Sequence, residues 1–203
     1  MSDLESRLPV PDAFWTELRA LHASPPRRYH TFEHVLEVLR WYDEVAAGPG
    51  WRRPDEVLLA VLFHDAVYRC GAAGNEAESA LAARAAIARW LPALDADRVA
   101  ALIELTARHG ALAPGAVDPD AAHFLDCDMA ILGAAPDDYR RYAELVAEEW
   151  APVLPAANFR AGRRAFLERL LASPRIYLTE MFAGRLEAQA RANITDEIAH
   201  LAR

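Results

Sequence analysis

The chain has 203 residues, and 53% of them are hydrophobic, enough to bury a sizeable core. Its 22 basic and 30 acidic residues give a formal charge of -8, which argues against general nucleic-acid binding, because a phosphate backbone needs clustered positive charge. Every basic residue other than histidine is Arg, which excludes lysine Schiff-base chemistry and a P-loop, and no GxGxxG or GxSxG occurs to support a dinucleotide fold or a nucleophile elbow.

Residues 1–8 carry Asp3 and Glu5 and no apolar signal core, so no export signal is expected. Asp12 is placed to cap a first helix running to about residue 22, which Pro25 and Pro26 then break. Thr31 is placed to cap a second, to about residue 46, with Val35, Val38, Leu39 and Tyr42 on one face. Gly48-Pro49-Gly50 reads as a turn. Pro54 suits the first turn of a third helix, with Asp55 and Glu56 favourable to its dipole. That helix is predicted to reach about Tyr68, and it is apolar nearly all round, so it should be the central, buried one. Its aliphatic stretch, 57–63, is too short to span a bilayer.

A loop over 71–74 precedes a helix from Asn75 to about Trp90, with Asn75 and Glu78 in an arrangement close to a capping box. Asp95 opens another helix, ending near His109-Gly110. After a Gly/Pro-containing loop over 110–119, short helical pieces are predicted around 120–132, and longer helices over 136–150, 158–172 and about 179–202. The expectation is an all-α fold: one compact helical bundle over 1–203, with a core at about 28–135 and additional C-terminal helices packing on it. Those last helices could cover the core or form a homodimer contact. Cys70 and Cys127 form no CxxC pair and read as reduced thiols in a soluble, cytoplasmic protein with no membrane association.

Ligand-type side chains concentrate at Tyr29-His30-Thr31-Phe32-Glu33-His34, at Phe63-His64-Asp65, at His109 and at Leu125-Asp126-Cys127-Asp128. His64 and Asp65 end a run of seven apolar residues. An unpaired buried carboxylate costs several kcal/mol, and a metal bound jointly by carboxylate and neutral imidazole removes that cost. A buried His-Asp hydrogen bond, or a helix end open to solvent, is the competing explanation. His34 falls in the first turn of the second helix, and Asp128 near the start of a short one. Imidazole and carboxylate together suit Mn, Fe, Co, Ni or Zn better than Ca, with Mg also admitted.

This ordered set, H … HD … D, resembles the HD superfamily of metal-dependent phosphohydrolases. More narrowly, YHTFEH, FHDAVY, NEAESA, TARH, FLDCDMAILG and EAQARANITDEI, spread over about residues 28–200, resemble the small bacterial proteins described as predicted metal-dependent HD phosphohydrolases. The resemblance implies a metal held by His34, His64, Asp65 and Asp128, with Asp128 preferred to Asp126. It implies one divalent ion rather than two, since Asn75 and Glu76 stand where other HD branches carry a His-Glu pair. It also implies hydrolysis of a small phosphorylated substrate, nucleotides included. Asp65 or Glu76 would take a proton from water, and His30, His109 or an arginine (Arg27, Arg28 or Arg69) would steady charge on the transferring group. Asn75 reads as a helix cap, and Glu187, Arg191 and Asn193 as packing or dimer residues. Two other roles stay open: an HD-type di-iron oxygenase, and a non-catalytic scaffold that binds a nucleotide or a partner.

Overall fold

The computed structural model describes residues 3–25 and 27–202; Pro26, read above as part of a helix break, lies outside them, as do Met1, Ser2 and Arg203. The described residues hold nine α-helices and no strand. They fall into two compact units, one up to Ala107 and one from Arg108, a boundary inside the stretch that the sequence suggests as a single core.

The first unit holds α1 (Asp12–His22), α2 (Phe32–Ala47), α3 (Pro54–Phe63), α4 (Asn75–Trp90) and α5 (Ala96–Leu105). Pro54 sits in the first turn of α3, where its missing N–H costs nothing. Every residue from Val57 to Phe63 is buried, so α3 is the central element. It packs against α2, α4 and α5. The α2 residues Val35, Val38, Leu39 and Tyr42 are buried as their helical spacing predicts. Burying each such side chain is worth roughly 1.5–3 kcal/mol, and this face is what holds the first turn of α2 against the end of α3.

Three details differ from expectation. Pro11, not Asp12, precedes α1. Thr31 does stand before α2, but its hydroxyl donates to Glu33 at 3.1 Å rather than accepting from the helix. Above all, α3 stops at Phe63 instead of running to Tyr68. The cause lies in distant side chains that satisfy the backbone beyond it. Arg27 donates to the carbonyls of Asp65 and Ala66 at 2.7 and 3.0 Å. Ser79 accepts from the N–H of Val67 at 3.0 Å and donates to its carbonyl at 3.1 Å. Asn75 bonds the N–H and carbonyl of Arg69 at 3.1 and 3.0 Å. Asn75 is therefore not the cap of α4; Gly74, at φ 89°, occupies that position.

The second unit holds α6 (Pro119–Met129), α7 (Pro136–Trp150), α8 (Ala156–Ala172) and α9 (Glu180–Leu201). A short 3-10 turn, Ala130–Gly133, contacts α6, α7 and α9. Gly133 allows a close approach: a Cβ there would lie 2.6 Å from the Cβ of Leu186. The tail residues do packing work. Glu187 accepts from the N–H groups of Ile176 and Tyr177. Arg191 donates to the carbonyls of Leu171 and Ser173, and Asn193 to those of Leu132 and Ala134. No helix among the described residues is long and apolar enough to cross a membrane.

Candidate metal centre

Two helices and one turn bring His34, His64 and Asp65 together. His34 lies in the first turn of α2, on its buried face. His64 follows the last residue of α3 and is also buried. Asp65 lies in the turn that follows, whose carbonyl oxygens Arg27 binds. The Nε2 atoms of His34 and His64 are 3.2 Å apart. Oδ2 of Asp65 lies 3.3 Å from Nε2 of His64 and 3.8 Å from Nε2 of His34. The three residues offer ligand atoms all within 4.8 Å of one another, the one such cluster among the described residues.

The donor chemistry fits a divalent ion. Nδ1 of His64 lies 2.9 Å from the carbonyl of Val61, which can only accept, so Nδ1 carries the proton. In the neutral ring Nε2 then presents a lone pair, the arrangement that metal-bound histidines share. Two nitrogens each about 2.1 Å from one ion lie about 3.0–3.4 Å apart at adjacent corners of an octahedron or a tetrahedron. The 3.2 Å between the two histidines falls in that range. Burial by itself raises the pKa of Asp65, but the charge and hydrogen bond that His64 supplies when protonated on both nitrogens, with His30 and His34 behind it, outweigh this and hold the carboxyl below its usual range. Asp65 is thus an anion beside two imidazoles, and 19% of its side chain stays exposed, which leaves the cluster open on one side.

His30 flanks the cluster. Its ring stands 6.0 Å from that of His34 and stacks on Tyr68 at 4.1 Å. Glu76 is half-buried in the first turn of α4 and lies outside the three-residue cluster. In the second unit, Asp128 and His109 are brought to each other, with Oδ2 and Nε2 2.7 Å apart. Asp128 lies at the end of α6 rather than the start of a short helix, because Asp118 caps that helix ten residues earlier by accepting from Ala121. Asp126 is committed elsewhere: it accepts from the N–H groups of Leu178 and Thr179 and from the Thr179 hydroxyl, at 2.7–2.8 Å. Burial pushes its pKa up to about 6, against the pull of those three bonds. His123 lies against the carbonyl of Pro119 at 2.8 Å, and His200 is exposed.

Arg27 is not available to grip a phosphate. Its five N–H groups go to Ser24 Oγ and to the carbonyls of Leu21, His30, Asp65 and Ala66. It is instead the buried tie between the end of α1, the His30 segment and the Asp65 turn. Arg69 pairs with Glu78 at the surface. Sequence reasoning missed the tie made by Arg27, the Asn75–Ser79 clamp and Glu37, whose Oε2 lies 4.0 Å from Nδ1 of His34. Spacing was the available signal for the last two, since residues three or four apart share a helix face.

No family model matches the chain, and no curated protein or solved structure matches it either.

Proposed function

We propose that this protein is a metal-dependent phosphohydrolase acting on a small phosphoester, with nucleotides the first class to try. The observation that carries the reading is the convergence of His34, His64 and Asp65 on one point within a buried helical core. Support comes also from the resemblance of the ordered H … HD … D set to HD phosphohydrolases. A bound divalent ion supplies Lewis acidity toward a phosphoryl oxygen and acidifies a water. Asp65 and the two imidazoles bind and orient it. Asp65 or Glu76 accepts the proton from water, and His30 donates to the oxygens on which charge develops. The test is hydrolysis of a panel of nucleotides and phosphomonoesters with Mn, Co, Ni, Mg or Fe(II), wild type beside Asp65→Ala. Turnover that requires metal and disappears in the variant supports the reading; turnover that persists in Asp65→Ala refutes it.

Two imidazoles and one carboxylate are also the ligand set of non-haem ferrous oxygenases, which favours an oxidative enzyme as the second reading. Iron retained after aerobic purification, with oxygen consumed on addition of substrate, would favour it. A chain without iron after growth in iron-rich medium would count against it.

A further inference from the structure

His64 has its ring fixed by a backbone carbonyl, so that Nε2 faces inward. His34 must present the same atom for the cluster to bind a cation, and its Nδ1 faces a carboxylate instead. Glu37 is three residues further along α2, on the same helical face. Its Oε2 lies 4.0 Å from Nδ1 of His34. That oxygen is buried and has no hydrogen-bond partner among the described residues, although 43% of the side chain is exposed. A buried carboxylate oxygen without a donor is costly, and the imidazole N–H of His34 is a group nearby that can supply one.

We propose that Glu37 is a positioning residue of the metal centre, accepting the Nδ1–H of His34 and so presenting Nε2 of that ring to a divalent cation. The proposal rests on the metal-binding reading above and extends it outward by one residue. The separation of 4.0 Å is longer than a hydrogen bond, so closure needs a movement of about 1 Å by a side chain that is 43% exposed. Cation binding favours that movement. With a proton on Nδ1 of both rings, two Nε2 lone pairs face each other across 3.2 Å, an unfavourable contact that an ion between them turns into two bonds. The carboxylate also makes the imidazole more basic and adds a negative charge close to the ion. Glu37 touches neither substrate nor metal; it acts through His34.

The experiment is metal affinity, measured with Zn(II) and Co(II) by chelator competition, on the full chain and on Glu37→Gln, Glu37→Ala and Glu33→Ala. Loss of such an outer partner typically weakens binding about 10–100-fold, which is the effect expected for Glu37→Ala. Glu37→Gln should lose less, because its amide oxygen still accepts. Glu33→Ala removes the same charge from the same helix and should bind like wild type. In the Zn-loaded protein, the His34 Nδ1 proton should exchange slowly in the wild type and rapidly in Glu37→Ala, a signature that a merely structural role would not give. Equal affinity in wild type and both Glu37 variants overturns the proposal. So does complete loss of binding in Glu37→Gln, which would make Glu37 a ligand. Failure of the wild type to bind either ion overturns the metal reading itself, a separate outcome.

Discussion

The side chains of His34 and His64, thirty residues apart in sequence, turn their Nε2 atoms toward each other at 3.2 Å inside the core. Helix α3 delivers one and the first turn of α2 the other, and Asp65 closes the set. A protein built this way should be more stable with metal than without. At a free metal concentration of about 100 times Kd, linkage gives about 2.7 kcal/mol. For a chain of this size that corresponds to a rise in Tm of roughly 5–10 °C. Thermal unfolding after chelation, then with each of Zn, Co, Mn, Ni and Fe(II), checks it. Asp65→Ala should abolish the rise, and a wild-type Tm that no ion moves would remove the metal centre.

His22 supplies a pH dependence of its own. Its Nε2 lies 3.0 Å from the carbonyl of Leu62 and so carries the proton, while Nδ1 is buried with no hydrogen-bond partner among the described residues. Burial lowers the pKa from 6.5 to about 4, the bond to Leu62 opposing it. The folded state then binds fewer protons than the unfolded one between those values. Stability from this group is fully present above pH 6.5 and is lost as pH falls toward 4, by about 3 kcal/mol in all. Urea unfolding of the metal-free protein between pH 7 and 4 measures it. His22→Gln keeps a donor for Leu62 and should flatten that part of the profile; an unchanged slope would refute the assignment.

The helices were legible in the sequence because their signals are local. Pro54 and Pro136 mark first turns, Asp95 caps α5 by accepting from Arg98, and the α2 stripe is buried as its spacing requires. The site was legible where an apolar run ends in ligands, at His64-Asp65. What stayed hidden depends on partners far along the chain. Nothing near Asp65 says that α3 must stop, since the groups that replace its hydrogen bonds belong to Arg27, Asn75 and Ser79. Asn75 looked like a cap because its neighbours fit that pattern, while its amide in fact bonds a segment six residues back. Glu37 was hidden among the other acidic residues of an amphipathic helix.

That clamp can be broken one bond at a time. Ser79 is fully buried and exchanges both backbone bonds with Val67. Ser79→Ala leaves the Val67 N–H and carbonyl without those partners, at a cost of about 1–3 kcal/mol. Asn75→Ala should cost less, because the Arg69 backbone it serves is more exposed and water can replace it. Hydrogen exchange is the sharper readout. The Val67 amide should lose protection in Ser79→Ala and the Arg69 amide in Asn75→Ala, with α3 itself unaffected. Protection unchanged at both sites would mean that the segment after α3 is held by something other than this clamp.

Asp126 and Asp128 are two residues apart and should respond to substitution in opposite ways. Asp126 is buried and accepts three hydrogen bonds at the start of α9, so its work is structural. Asp126→Ala strands the N–H groups of Leu178 and Thr179 and should destabilise the protein by about 2–4 kcal/mol, with metal affinity little changed in whatever fraction folds. Asp128 lies with Oδ2 2.7 Å from Nε2 of His109 and is the carboxylate that the HD resemblance marks as a ligand. If Asp128 is a ligand as that resemblance implies, Asp128→Ala should bind metal at least about tenfold more weakly than the wild type. His109→Ala separates the two ways this could happen. If Asp128 binds the ion directly, removing His109 leaves most of the affinity in place. If His109 is the group that matters and Asp128 only orients it, the two variants lose equal affinity, and the double variant loses no more than either.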